Sequence, residues 1–134
     1  MTRRIIEHTA DVRLRVEAAS LEELFREAML GMFEIMSCSA GVSPAFENVR
    51  IEIYSPDRTS LLVDFLNDVL SRAHIRKECF EEVRFDRLTE TELVATLTGR
   101  TPARFEQDVK AVTYHEAEVR CEDGVWSTVL VFDI

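Results

Sequence analysis

VRLRVEAASLEELFREAMLGMFEIM, residues 12–36, changes its hydrophobic period halfway along. Its first seven residues alternate. Val12, Leu14, Val16 and Ala18 fall on one side, with Arg13, Arg15 and Glu17 on the other. That period of two predicts a half-buried strand. After Ser20 the period becomes helical: Leu21, Leu24, Phe25, Ala28, Met29, Met32, Phe33 and Met36 form one stripe. Ser20 and Glu23 stand at capping-box spacing, in which each side chain satisfies a backbone N–H that the first turn leaves unpaired. The methionine stripe reads as core, because flexible thioethers fill irregular gaps well. A strand feeding directly into an amphipathic helix is the first half of a mixed fold.

Working outward, residues 3–8 read as another short strand, and VRIEIY, residues 49–54, as a third. Residues 55–76, SPDRTSLLVDFLNDVLSRAHIR, form a second helix, with Ser55 at the N-cap and Pro56 in the first turn. Its apolar side holds Leu62, Phe65, Leu66, Val69 and Leu70. Asp64, Asn67, Asp68 and Ser71 fall largely opposite and read as a solvated face. CFEEVRFDRL and TELVATLTG read as two more strands, and the stretches on either side of EDG as the last pair. Strands joined mostly as hairpins, with two helices among them, define an α+β class: a largely antiparallel sheet with both helices packed on one face. With seven Gly and Pro residues and no repeat or low-complexity linker, residues 1–134 read as one domain.

The composition narrows the function classes. No apolar run approaches the length needed to cross a bilayer, so no membrane association is expected. The N-terminus has two arginines but no apolar stretch behind them, so it does not read as a secretory signal. Cys38, Cys79 and Cys121 are odd in number and widely spaced, which is neither a disulfide framework nor a zinc pattern. A cytoplasmic protein with reduced thiols follows. The formal net charge is −9, and the arginines are interleaved with acids. A protein that tracks phosphates needs a basic patch, so tight direct nucleic-acid binding is not expected. The charge suits a divalent cation or a basic protein surface better.

Two clusters carry candidate chemistry. The first is Glu7, His8, Thr9 and Asp11, between the first two strands; short polar side chains there serve a turn or a site. The second depends on the EDGV turn. Asp-Gly as a two-residue loop favours a type I′ hairpin, with Glu122 opposite Val125. Counted outward, Tyr114 meets Asp133, His115 meets Phe132 and Thr113 meets Ile134. Lys110, Val112, Tyr114 and Asp133 then share one face, and Thr113 and His115 the other. A bulge would flip that register.

Asp11, Asp133 and the Ile134 carboxylate are hard oxygen donors. If the first hairpin and the last strand share a sheet edge, these oxygens can surround Ca²⁺ or Mg²⁺. Zinc on His8, His115, Asp11 and Asp133 is the competing arrangement, but no His or Cys spacing supports it. Gly-x-Ser-x-Gly, Walker A and dinucleotide motifs are all missing.

EHTADV, SLEELFREAMLGMF, LLVDFLNDVL, DVKAVTYHEAEV and the terminal VFDI, taken in order, resemble the archease family across essentially the whole chain. KAVTYH followed by a terminal FDI is the specific part. The resemblance implies a protein cofactor that is not itself an enzyme. Its partner would be an RtcB-type RNA ligase, whose guanylylation and multiple turnover in tRNA splicing or RNA repair it promotes. It also implies a divalent cation, Ca²⁺ by preference with Mg²⁺ or Mn²⁺ as alternatives, on Asp11, Asp133 and Ile134. Lys110 is implicated in activating the ligase, with His8, Thr9, Thr113, Tyr114 and His115 in support of the site. Arg13 departs from the family pattern, where Gly often follows HTADV. Two other functions remain open. One is a small metal-dependent hydrolase with His8 or His115 as base. The other is a chaperone-like binding module, which needs Met29 or Met36 exposed.

Overall fold

The computed structural model describes residues 11–41 and 47–134. The strand expected over residues 3–8 lies outside them. In order the chain forms β1 (Asp11–Ala18), α1 (Leu21–Ile35), β2 (Cys38–Ala40), β3 (Glu47–Tyr54) and α2 (Arg58–Arg76). Then follow β4 (Cys79–Leu88), β5 (Glu92–Arg100), β6 (Ala103–Phe105), β7 (Ala111–Thr113), β8 (Arg120–Glu122) and β9 (Val125–Asp133). The α+β class holds: two helices, with every strand pairing antiparallel. Among the described residues the strands divide into three sheets. These are β1-β9-β7 with β8 also on β9, β3-β5-β4, and the pair β2-β6.

The period switch of residues 12–36 is realised as β1 and α1. Ser20 Oγ accepts from the Glu23 N–H, which is the forward half of the expected box. Met29, Met32 and Met36 are fully buried beside Leu24 and Phe25. A chaperone surface built on exposed methionines is therefore ruled out. Gly31 lets α1 come close to β1, since a Cβ there would lie 2.5 Å from Leu14 Cδ2. Phe25, Phe65 and Phe85 join α1, α2 and β4 in the core, with ring centroids 5.7–6.2 Å apart.

The second helix starts later than the sequence suggests. Its N-cap is Asp57, whose carboxylate accepts from the Ser60 N–H at 2.7 Å. An Asp cap also places negative charge at the positive end of the helix dipole. Ser55 instead donates its hydroxyl to Asp64 at 2.6 Å. The thiols differ too. Cys38 on β2 and Cys79 on β4 form a disulfide with a Cα–Cα distance of 6.1 Å, and Cys121 is free and exposed. Residues 41 apart in sequence meet only through the sheet pairings, so spacing could not reveal the bridge.

Candidate functional site: the two edges of the last strand

β9 is the centre of the site. On one side β1 pairs with it over its whole length, from Asp11 opposite Asp133 to Ala18 opposite Trp126. On the other side β8 continues from the turn and β7 takes over at the far end. The turn itself is as expected: Asp123 and Gly124 both have positive φ, as type I′ requires, and Glu122 faces Val125.

Beyond the turn the expected register fails. Ala111, not Tyr114, lies opposite Asp133; Val112 lies opposite Phe132 and Thr113 opposite Val131. The cause is an excursion of the chain between β7 and β8. Tyr114 accepts a turn hydrogen bond from the Ala117 N–H at 3.1 Å, and Glu116 adopts a φ of +61°. The displacement is an odd number of residues, so the faces swap. Asp133 shares its face with Ala111 and Thr113, while Val112 turns into the core with Phe132, on the face that half-buried Val12 shares. Tyr114 and His115 leave the ladder and are exposed.

The candidate residues are thus arranged as follows. Asp11 and Asp133 stand directly opposite each other at the end of the β1–β9 ladder. Asp11 is exposed; Asp133 and Ile134 are half-buried, and Ile134 packs against the core. Like charges directly opposed across a ladder repel. Among the described residues, neither aspartate forms an ion pair with a basic side chain. Two opposed hard oxygen donors, with no ion pair among the described residues, fit a divalent cation. No group of three or more His, Cys, Asp or Glu side chains suited to a metal occurs among the described residues. Among the described residues, the side chains of this pair therefore supply two donors. Thr113 Oγ1 is buried on the same face and has no hydrogen-bond partner. Lys110 is exposed, and its backbone N–H donates to the Asp133 carbonyl at 2.7 Å. His115 Nε2 lies 3.7 Å from Glu116, off the ladder that carries Asp133. Glu7, His8 and Thr9 lie outside the described residues.

The side of α2 expected to face solvent carries part of the site. Asn67 Nδ2 donates to the Val112 carbonyl, and the Val112 N–H donates to Asn67 Oδ1, both at 2.8 Å. One turn earlier, Asp64 accepts from the Tyr114 hydroxyl. That bond raises the Tyr114 pKa above its ordinary value, helped by burial and by the negative charges of Asp64 and Asp57. Further along, His74 Nε2 lies 3.2 Å from the Val109 carbonyl. At the start of the helix, Thr59 Oγ1 accepts from the Val119 N–H at 2.9 Å. The polar stripe therefore fastens the chain from 109 to 119. One signal for it exists in the sequence. Asp, Asn and Ser are poor helix formers, and four of them in the middle of a helix suggest partners other than water.

Two helices and antiparallel sheets in this strand order define a small α+β domain. The chain belongs to the archease family: the model described as "Archease protein family (MTH1598/TM1083)" matches residues 4–134. It is 36% identical over 136 residues to the protein archease of Methanopyrus kandleri, covering 96% of each chain. To that of Methanosarcina mazei it is 31% identical over 137 residues, covering 96% of this chain and 93% of the relative. The solution structure of a Methanobacterium thermoautotrophicum protein superposes with a TM-score of 0.72 at 32% identity, covering 96% of each chain. A crystal structure of a Thermotoga maritima archease gives the same TM-score at 24% identity, covering 100% of this chain and 98% of that one, which supports the fold. No helix among the described residues is long and apolar enough to cross a membrane.

Proposed function

We propose that this chain is an accessory activator of an RtcB-type RNA ligase, without catalytic activity of its own. It would promote guanylylation of the ligase and its multiple turnover in tRNA splicing or RNA repair, in the cytoplasm. The observation that carries the reading is the Asp11–Asp133 pair, opposed in register, with Lys110 tied to Asp133 through the backbone.

In this reading Asp11, Asp133 and the Ile134 carboxylate hold a divalent cation, Ca²⁺ by preference, with Mg²⁺ or Mn²⁺ as substitutes. When bound, the cation would neutralise the opposed carboxylates and offer positive charge to nucleotide phosphates at the partner's active site. The protein's own residues have distinct tasks. The β1–β9 ladder fixes the spacing of the two aspartates, and Lys110 presents its ammonium to a phosphate or to an acidic residue of the ligase. Burial of Val131 and Phe132 keeps the end of β9 from fraying. The net charge of −9 fits a protein that acts on the ligase rather than on its RNA.

Two measurements test this. In calorimetric titration with Ca²⁺, the native chain should bind, and Asp133→Ala or a version extended by a few residues after Ile134 should not. With the cognate ligase, Asp133→Ala should abolish stimulation while circular dichroism shows an intact fold. Full stimulation by that variant would sink the proposal.

A further inference from the structure

β7 is three residues long, and among the described residues only one of its edges has a strand beside it at Val112. In an antiparallel ladder, successive residues turn their backbone groups alternately toward and away from the neighbouring strand. Both backbone groups of Val112 are engaged by Asn67, so they face away from β9. The Asn67 carboxamide thus takes the place that another strand's peptide group would occupy: one donor and one acceptor, at the same spacing, on the open edge. Three paired residues are too few to define a register through side-chain burial. Val112 is the only member of β7 that is fully sequestered, and Ala111 and Thr113 are half-buried. A shift by one residue would drive Val112 out of the core and carry Lys110 away from Asp133.

We propose that Asn67 is a positioning residue: by bonding both backbone groups of Val112, it selects the β7 register that holds Lys110 against the Asp133 end of β9. The proposal rests on the reading of Lys110 and Asp133 as the functional tip, but its first readout does not depend on that reading. Asn67 is not one of the proposed cation donors; its carboxamide bonds Val112. It acts through Val112, and the Asp64–Tyr114 bond closes the same strap two residues further on.

The test uses Asn67→Leu, which keeps the size and removes both hydrogen bonds, and Asn67→Asp. A protonated Asp can still donate to the Val112 carbonyl and accept from its N–H. An ionised Asp sets lone pairs against that carbonyl. The full chain is followed by nuclear magnetic resonance without added metal, then titrated with CaCl₂. In the native chain, Val112 and Phe132 form a non-hydrogen-bonded pair, so their Hα atoms lie in close contact and report the register.

In Asn67→Leu that contact should weaken, the Val112 amide should exchange about tenfold faster, and Ca²⁺ affinity should fall by about the same factor. In Asn67→Asp, the contact and the protection factor should be native-like at low pH and lost as the carboxyl ionises. The native chain should show no such pH dependence. A native register and protection in Asn67→Leu would overturn the proposal, as would an Asn67→Asp that matches the native chain throughout. So would an unchanged Ca²⁺ affinity in an Asn67→Leu whose β7 has moved. If Asn67→Leu fails to fold, the pH response of Asn67→Asp decides. If the native chain binds no Ca²⁺, the cation reading fails, while the register markers still judge Asn67.

Discussion

The two edges of β9 are held by different forces. β1 pairs with it over eight residues, and alternate side chains face the core: Val16 opposite Thr128 and Leu14 opposite Leu130, with half-buried Val12 opposite the fully buried Phe132. β7 pairs over three residues and is clamped from its far side by polar atoms of α2. The first edge is fixed by burial, which is non-directional and accumulates with area. The second is fixed by a few directional bonds, whose net contribution is small but whose geometry is specific. The long edge carries Asp11 and the short edge carries Lys110, so both halves of the proposed site depend on β9. Robust pairing places the carboxylates; a lightly held segment places the lysine. This is the usual division between a stable frame and a functional element of low local stability.

The largest expected effect comes from the residue that both edges share. Phe132 is fully buried, faces Val12 on one side and Val112 on the other, and has no polar role. Phe132→Ala should lower the unfolding free energy by about 3–5 kcal/mol, read by chemical denaturation. Amide protection should drop on β1 and β7 together. A loss confined to either strand would break the picture of one ring anchoring both ladders.

A smaller effect isolates the directional edge. The Tyr114 hydroxyl donates to Asp64, and this raises its pKa. The protonated phenol is the form that makes the bond. Its contribution is therefore present below the ordinary tyrosine value of about 10, and is lost as pH rises through the elevated value. In a Tyr54→Phe background, phenolate absorbance reports Tyr114 alone. Its midpoint should lie above the ordinary value, and Asp64→Asn should lower it. An unmoved midpoint would mean that Asp64 does not hold the Tyr114 end of the strap.

How much of this could be read in the sequence follows the same division. The period switch at Ser20 located β1 and α1, because alternation and helical spacing are burial patterns. The Asp-Gly turn located the tip of the last hairpin, because two successive positive φ angles demand such residues. The β7 register was not legible. Its offset comes from an excursion whose left-handed residue is Glu116 rather than a glycine, so no local signal marks it. The polar stripe of α2 was misread for a related reason. Asp64 and Asn67 look the same on a helix whether they face water or the open edge of a strand. Their meaning depends on a segment more than forty residues away. The Asp11–Asp133 pairing followed only if the first and last strands were neighbours, and the fold supplies that condition.

The smallest expected effect concerns the exposed ion pair of Arg13. Arg13 reaches across β9 to the carboxylate of Glu116, in the excursion between β7 and β8. The ion pair therefore links the two edges directly and could be taken for the clasp of the site. Its exposure argues otherwise: the side chains are 53% and 41% accessible. Pairs of this kind contribute between zero and about 1 kcal/mol, because water screens the attraction and two long side chains must be ordered. Arg13→Ala should shift the unfolding free energy by less than about 0.5 kcal/mol, and should leave both the Val112–Phe132 contact and the Tyr114 midpoint where they are. If Arg13→Ala instead displaced β7, the short edge would be held from the β1 side as well as from α2, and the contrast between the two edges would collapse.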